Sequence, residues 1–204
     1  MTPTFARPAK AQLPKNRKLF RIDDISLNTD GPRLLELTHA LLQKVPDALI
    51  VFAVSPCVHD MQSVFPDLHR ERVFPKSFNT KSDHRWFYMV DNLGLPGFLA
   101  DYPDAIIASH GLVHVDHRLL SRKAQELSVL VSCSLLKTNL FVPPFHKFNG
   151  KTRQICDTFG IHLVEYDPGT WRHLAYHDFD EDHNWYYFHT HDFDVDTLRK
   201  RLKA

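Results

Sequence analysis

A continuous run of seven apolar residues at 48–54 (ALIVFAV) constrains the fold of this chain more than any other stretch. The run has the length of a strand, and a strand without alternating polar residues is typically buried on both faces, as in a parallel sheet covered by helices. A second such run, AIIAS, spans residues 105–109. Together the two runs predict an α/β fold with a parallel sheet.

Strand and helix patterns alternate along the rest of the chain. Further strands are predicted at 18–22, 140–142, 161–165 and 185–188, and helices at 32–45, 95–101, 117–136, 152–159 and 194–203. Residues 55–81 have several Pro and Phe residues without a clear period and are expected to be irregular. This alternation predicts a distorted, incomplete β/α barrel, in which chemistry gathers at the C-terminal ends of the strands.

Length and charge limit the number of domains and the classes of partner. The 204 residues suit one domain at 17–204, preceded by a flexible Pro-, Ala- and Lys-rich arm at 1–16. Net charge is +1, with 25 basic and 24 acidic side chains, so we expect neither nucleic acid nor membrane as a partner. Oligomeric state is left open. Three cysteines without C-x-x-C spacing, and no apolar segment suited to a signal peptide or membrane span, predict a cytoplasmic protein.

Polar or rigid residues follow four of the predicted strands. Because the carboxyl ends of parallel strands meet at one end of a barrel, these residues are expected to converge there. They are Asp23 and Asp24, His110 and His114, Pro144 and Phe145, and His189.

One aspartate and two histidines form a ligand set suited to a catalytic zinc-type metal, with positions left for water and substrate. The H-x-x-x-H spacing of His110 and His114 places both rings on one face if these residues form a helical turn. A neighbouring aspartate then serves as general base. Alone, a D-D pair is more often a cap and H-x-x-x-H a surface pair; His117 is an alternative ligand.

Four stretches, in order, resemble motifs of the polysaccharide deacetylase family, also called the NodB homology domain family or carbohydrate esterase family four. RIDDIS is similar to T-F-D-D, SHGLVHVDH to H-[ST]-x-x-H, FVPPFHKFN to R-x-P-[YF] and YYFHTHDFD to L-x-x-H. The resemblance spans about residues 21–192. It implies a distorted (β/α)7-type barrel.

The resemblance also implies a role for each matching residue. Asp23 is the general base and His189 the general acid, and Phe145 lines the cleft with its N–H facing the oxyanion. Asp24, His110 and His114 hold the metal. Pro144 is a further candidate for substrate binding, and so is His191, whose position after the last strand suits either a place near the leaving group or a cap of that strand. The metal is expected to be zinc, although nickel, cobalt or iron fit the same ligands.

Three positions depart from the family pattern. Val142 stands where the family has an arginine that helps to orient the base, and Gly111 stands where Ser or Thr is common. The fourth motif has only Asp178, Asp180 and Trp185 as nearby candidates.

The expected activity is deacetylation of an N- or O-acetylated carbohydrate, an N-acetylated sugar above all, by water that the metal activates. Two alternatives stay open. The first is a metal-dependent amidase acting on a small non-sugar C–N bond. The second is a catalytically weak carbohydrate-binding barrel, which the loss of the motif arginine favours and the retention of Asp23 opposes.

Overall fold

Seven parallel strands form one curved sheet in the part of the chain that the computed structural model describes, residues 13, 17–26, 29–56 and 105–202. The order across the sheet is β5-β4-β3-β2-β1-β7-β6, so β1 lies between β2 and the last strand, β7. The strands are β1 Leu19–Ile25, β2 Leu49–Val54, β3 Ile106–Ser109, β4 Leu140–Phe141, β5 His162–Leu163, β6 Trp171–His173 and β7 Trp185–His189.

This sheet confirms the predicted distorted, incomplete barrel of (β/α)7 type. The prediction missed β6, which has only three residues. Cys57, the helix predicted at 95–101 and nearly all of the irregular segment predicted at 55–81 lie outside the described residues.

Four helices lie among the described residues, and side-chain caps fix where they begin. They are α1 Gly31–Lys44, α2 Arg122–Leu135, α3 Gly150–Phe159 and α4 Val195–Arg201, capped by Asp30, Ser121, Asn149 and Asp194. The helix predicted at 117–136 was wrong at its start. A 3₁₀ turn occupies His117–Leu119, and the extended backbone of Leu120 separates it from α2.

Alternate residues of β1 face two different cores. Phe20 and Ile22 pack in the outer core with residues of α1 and α4. Leu19 belongs to the interior core, and Arg21 and Asp23 follow it on the same face of the strand. The interior core also contains Leu49, Val51, Ala53, Ala108, Leu140, Val142, Trp171 and Tyr187. The sheet therefore places a charged pair on the same face as this apolar core.

The predicted domain division and cellular location are not tested by the described residues. The division into an arm at 1–16 and a domain at 17–204 stays a prediction, as does the cytoplasmic location. Within the described ranges, no helix combines the length and apolar character needed to cross a membrane. Cys133 and Cys156 are buried free thiols, and burial raises the pKa of each to about 12, which makes them poor nucleophiles.

Candidate metal centre and active site

The adjacent aspartates lie where β1 loses its regular register with β2. The register shifts between Ile22 and Ile25, and Asp24 has a φ of 61°. A left-handed conformation costs a residue other than glycine about 1–2 kcal/mol, and such strain is concentrated at functional sites. The irregularity gives the two carboxylates different surroundings: Asp23 is 1% exposed, whereas the side chain of Asp24 is 29% exposed.

Asp24, His110 and His114 converge, as predicted, although they lie on two separate segments. Asp24 Oδ1 is 3.2 Å from His110 Nε2 and 2.8 Å from His114 Nε2. Ligand atoms of all three residues lie within 4.8 Å of one another. Burial alone would raise the pKa of Asp24, but the hydrogen bonds to the two imidazoles outweigh burial and hold that pKa far below its ordinary value. The carboxylate is therefore ionised, as a metal ligand must be.

The surroundings of the His110 ring fit a bound cation. Its Nδ1 lies 2.9 Å from the carbonyl oxygen of Val142, so Nδ1 carries the proton and donates it. Its Nε2 faces the Asp24 carboxylate. Both ring nitrogens thus face acceptors, an arrangement that suits either a doubly protonated ring or a neutral ring with a cation at Nε2. A metal-ligating histidine usually donates a hydrogen bond from its other ring nitrogen, and a backbone carbonyl is a common acceptor of that bond.

The segment from His110 to His114 is a loop, so the helical turn predicted for it was wrong. Gly111 has a φ of 80°, outside the α-helical region. A Cβ at this position would lie 2.9 Å from the carbonyl oxygen of Val113. The loop nevertheless brings the two imidazole rings to 4.9 Å between centroids. Glycine at 111 is what lets the chain make this turn.

Asp23 is held by a guanidinium from its own strand. Arg21 Nε donates to Asp23 Oδ1 at 2.7 Å, and Arg21 Nη2 donates to Oδ2 at 2.8 Å. Burial would raise the pKa of Asp23, but the charge of Arg21 and its hydrogen bonds lower it. Asp23 is consequently an ionised carboxylate, close enough to His110 for that ring to lower its pKa further, and Arg21 is a site residue that the sequence prediction missed.

His189 ends β7, where it is the register partner of Asp23 on β1, and its side chain lies next to Asp24. Its Nε2 is 3.7 Å from Asp24 Oδ2, and its Nδ1 is 3.0 Å from Asp192 Oδ2. Burial would lower the pKa of His189, but the hydrogen bond to Asp192 and the charges of Asp24 and Asp23 raise it above its ordinary value. The ring therefore retains its proton to higher pH than a free histidine does.

A second group, His173, His189 and Asp192, has the composition of a metal site but different hydrogen bonds. The backbone N–H of Ala175 donates to His173 Nδ1 at 3.2 Å, so the proton of a neutral ring lies on Nε2. His173 Nε2 is 3.3 Å from Asp192 Oδ2 and can donate to it. A metal on Nε2 would move the proton to Nδ1, against the Ala175 N–H. The group is thus satisfied as a hydrogen-bonded cluster.

No family model matches this chain, and no curated protein matches its sequence. Its fold, however, matches solved structures. A CE4 family pseudoenzyme from Bacillus anthracis aligns with a TM-score of 0.53 at 14% identity, over 94% of this chain and 62% of that chain. Peptidoglycan deacetylase PdaC from Bacillus subtilis aligns with a TM-score of 0.54 at 11% identity, over 94% and 84%.

The fold is that of the CE4 polysaccharide deacetylases. The chain spans less than two thirds of the length of the Bacillus anthracis protein. A mutant of that pseudoenzyme with restored enzymatic activity aligns with a TM-score of 0.54 at 13% identity, over 94% of this chain and 64% of that chain. At these identities the likeness establishes the shared CE4 fold, and the chemistry has to be argued from the site.

The segment after β4, which resembles the third CE4 motif, has two consecutive left-handed residues. Phe145 and His146 have φ angles of 55° and 58°. Buried Pro144 leads into Phe145, a residue that is 52% exposed and whose ring centroid lies 4.3 Å from that of His114. The strained turn thus places an open aromatic surface beside the metal-ligand group. His191 lies near the same opening, with its side chain 71% exposed and its ring stacked on His189.

His146, which the sequence prediction did not single out, contacts Arg21. Its Nδ1 accepts a hydrogen bond of 3.2 Å from Arg21 Nη2, and its ring stacks on Tyr166 at 4.5 Å. Burial and the charge of Arg21 lower the pKa of His146 to about 4, so the ring is neutral. Two earlier signals pointed to this segment, the P-P-F-H sequence and its place after a strand, but neither showed that His146 contacts Arg21.

His117, the alternative ligand, lies outside the metal-ligand group. It is fully buried, with Nε2 3.2 Å from Ser128 Oγ and its ring 5.0 Å from Phe141. Burial lowers its pKa to about 3. Among the other candidates, Asp180 pairs with Arg172, Asp178 pairs with Arg201, and Trp185 packs on Trp171.

Proposed function

We propose that this chain is a metal-dependent hydrolase that removes acetyl groups from a carbohydrate. The observation that carries the proposal is the convergence of three metal-ligand candidates, Asp24, His110 and His114, close to a buried carboxylate with a lowered pKa, Asp23, and an imidazole with a raised pKa, His189. An acid and a base with pKa values shifted in opposite directions are what acyl-transfer chemistry requires.

Asp24, His110 and His114 would hold one divalent metal, which when bound supplies a Lewis acid toward water and the acyl oxygen. Two imidazoles and one carboxylate favour zinc, and nickel, cobalt and iron fit the same ligands. The metal-ligand atoms lie at the open side of the site, since Asp24 and His114 are each 29% exposed.

Asp23 serves as the general base that takes a proton from the attacking water. Its lowered pKa keeps it ionised at neutral pH, and a base must be ionised before it can take a proton. His189 serves as the general acid that donates a proton to the departing nitrogen or oxygen. Asp192 fixes its Nδ1–H, which leaves Nε2 to carry the transferable proton. The backbone N–H of Phe145 is assigned the role of stabilising the developing oxyanion.

The favoured substrate is an N-acetylated sugar. The half-exposed Phe145 ring beside His114 offers the flat apolar face on which a pyranose ring stacks. Pro144 and His191 are the other two residues proposed to line the substrate site. Peptidoglycan deacetylase PdaC, an enzyme with this fold, is named for a related reaction.

A catalytically weak carbohydrate-binding barrel is the second candidate. It is favoured by the match to a CE4 family pseudoenzyme, which shows that this fold also occurs without activity. The buried Arg21–Asp23 pair argues against it, since a binding barrel has no need of an ionised carboxylate beside the metal ligands. Hydrolysis of a small non-sugar amide uses the same residues and differs only in substrate.

The test combines metal analysis with acetate release. The native chain, Asp24→Ala and His114→Ala are purified, and metal content and acetate release from N-acetylglucosamine monomers and oligomers are measured. His162→Ala on β5, at one edge of the sheet, is the matched control. We expect stoichiometric metal and acetate release in the native chain and the control, and loss of both in the two ligand variants.

The outcomes separate the candidates. Metal without acetate release from any sugar, but with turnover of simple amides, favours the amidase. Metal and sugar binding without turnover favours the binding barrel. A native chain that binds no metal would refute the site itself.

A further inference from the structure

Position 142 offers Asp23 no positive charge. Val142 is fully buried in the interior core, and its contribution to the site is a carbonyl that accepts from His110. Arg21 lies two residues before Asp23, and residues two apart on a strand share a face. Its guanidinium meets the carboxylate through two parallel hydrogen bonds of 2.7 and 2.8 Å, the geometry that fixes a carboxylate most firmly.

The guanidinium of Arg21 is itself held on several sides. Its Cζ lies 4.4 Å from the centre of the Trp171 ring and 5.1 Å from that of Tyr187. Its Nη2 also donates to His146 Nδ1, from the strained turn after β4. The arginine is 0% exposed, and a buried guanidinium is unfavourable unless its partners are well placed. The Arg21 side chain is therefore enclosed by residues from β6, from β7 and from the turn after β4.

We infer that Arg21 is the positioning residue for Asp23, so that β1 supplies both the proposed base and the cation that orients it, in place of an arginine at position 142. Arg21 acts through Asp23 and does not contact the substrate. His146 supports the arrangement by accepting from the same nitrogen of Arg21. The inference rests on the proposed function for its catalytic consequence, but the orientation of Asp23 can be observed without activity.

A double-mutant cycle tests the catalytic consequence. The variants are Arg21→Met, Asp23→Asn and the two combined, each assayed for metal content, kcat and KM with the N-acetylglucosamine oligomer that the native chain deacetylates. We expect Arg21→Met to retain the metal and KM within about threefold, while kcat falls about 100-fold, in the range for a misplaced general base. The combined variant should be no slower than Asp23→Asn alone, because Arg21 acts only through Asp23.

Two further variants separate positioning from a general loss of structure. Arg21→Lys keeps the charge but loses the paired hydrogen bonds, and we expect it to recover about tenfold of the lost kcat. Arg172→Met breaks the half-exposed Arg172–Asp180 pair on β6 and should leave kcat unchanged. Should Arg21→Met fail to fold, Arg21→Lys and the combined variant, which leaves no buried unpaired charge, still complete the test.

Crystal structures of the metal-loaded native chain and Arg21→Met provide the readout that is independent of activity. We expect the Asp23 carboxylate to rotate away from its present orientation in the variant. An unchanged Asp23, or losses in the cycle that multiply, would overturn the inference. A native chain that binds metal but releases no acetate would refute the proposed function, and the orientation of Asp23 in the two crystal structures would still decide the inference about Arg21.

Discussion

Two groups with the same composition lie side by side in this barrel, and they differ in the backbone group that is hydrogen-bonded to one of their histidines. Each has one aspartate and two histidines whose ligand atoms lie within 4.8 Å of one another. They are Asp24, His110 and His114, and His173, His189 and Asp192. In the first group a carbonyl accepts from the far side of the His110 ring, whereas in the second an N–H donates to the far side of His173.

The direction of this backbone hydrogen bond decides which ring has a lone pair on Nε2 that can bind a cation. A carbonyl behind a ring places the proton there and directs the opposite lone pair into the site. When a backbone N–H donates to Nδ1, it occupies the lone pair of that nitrogen, and the proton of the neutral ring then lies on Nε2, which faces the site. Residue type and spacing therefore identify candidates for a metal site, and the second contact of each ring selects between them.

The largest expected effect is on metal affinity. His110→Ala should lose the metal, with affinity at least about 100-fold weaker, because it removes a ligand. His173→Ala should bind it within about threefold of the native chain. Metal analysis and isothermal titration with Zn²⁺ measure both. Equal losses in the two variants would mean that the backbone contacts do not distinguish the groups.

Asp192→Asn tests the second group, which is expected to act on the proton of His189 and not to bind the metal. We expect metal content to be unchanged and kcat to fall about 100-fold, because His189 loses the partner that orients it. Asp192 also raises the pKa of His189, so its removal lowers that pKa. An acid must be protonated to act, and the alkaline limb of the kcat profile should therefore shift to lower pH. A profile that does not move would contradict the role given to His189.

His117 provides a third arrangement, a buried histidine that forms no salt bridge with any residue that the structure describes. Burial lowers its pKa to about 3, whereas the unfolded chain takes up this proton near pH 6.5. Stability is therefore full above about pH 6.5 and falls as the pH drops toward 3. At pH 4.5 the loss is roughly 2–3 kcal/mol in the free energy of unfolding. Urea unfolding of the native chain and His117→Gln, at pH 7.5 and 4.5, should show a shallower pH dependence in the variant.

The smallest expected effect concerns the loop that joins the two histidine ligands. Gly111→Ser restores the residue type common in the family, yet it should lower the free energy of unfolding by about 1–2 kcal/mol, because position 111 has a left-handed φ. Weaker metal binding should accompany the loss. Gly150→Ala, with nothing within 4 Å of its Cβ, is the control and should be nearly neutral. A stable serine variant would show that this loop adapts.

Sequence patterns predicted the elements that are long or clearly capped. The apolar run of β2 is a local feature, and so is the position of His110 at the end of β3. Convergence of the metal-ligand candidates followed from the parallel sheet alone. These features depend on neighbours in sequence, which is why they were predictable.

The missed residues depend on contacts between distant segments. Arg21 looks like an ordinary polar residue of a strand until Trp171, Tyr187 and Asp23 surround it. His173 belongs to a strand of three residues, which is too short to show a period. The true course of the His110–His114 loop depends on one glycine angle, which the spacing does not reveal.

Placing β1 beside β7 has a consequence for how the protein is made. Leu19 pairs with Trp185, so a ribosome synthesising about 5–20 residues per second exposes one edge of β1 for roughly 10–30 s before its partner emerges. For most of that interval the guanidinium of Arg21 lacks the Trp171 and Tyr187 rings that pack against it. The nascent chain therefore displays an open strand edge next to its reactive residues, and a chaperone that covers this edge would determine the yield of correctly assembled sites.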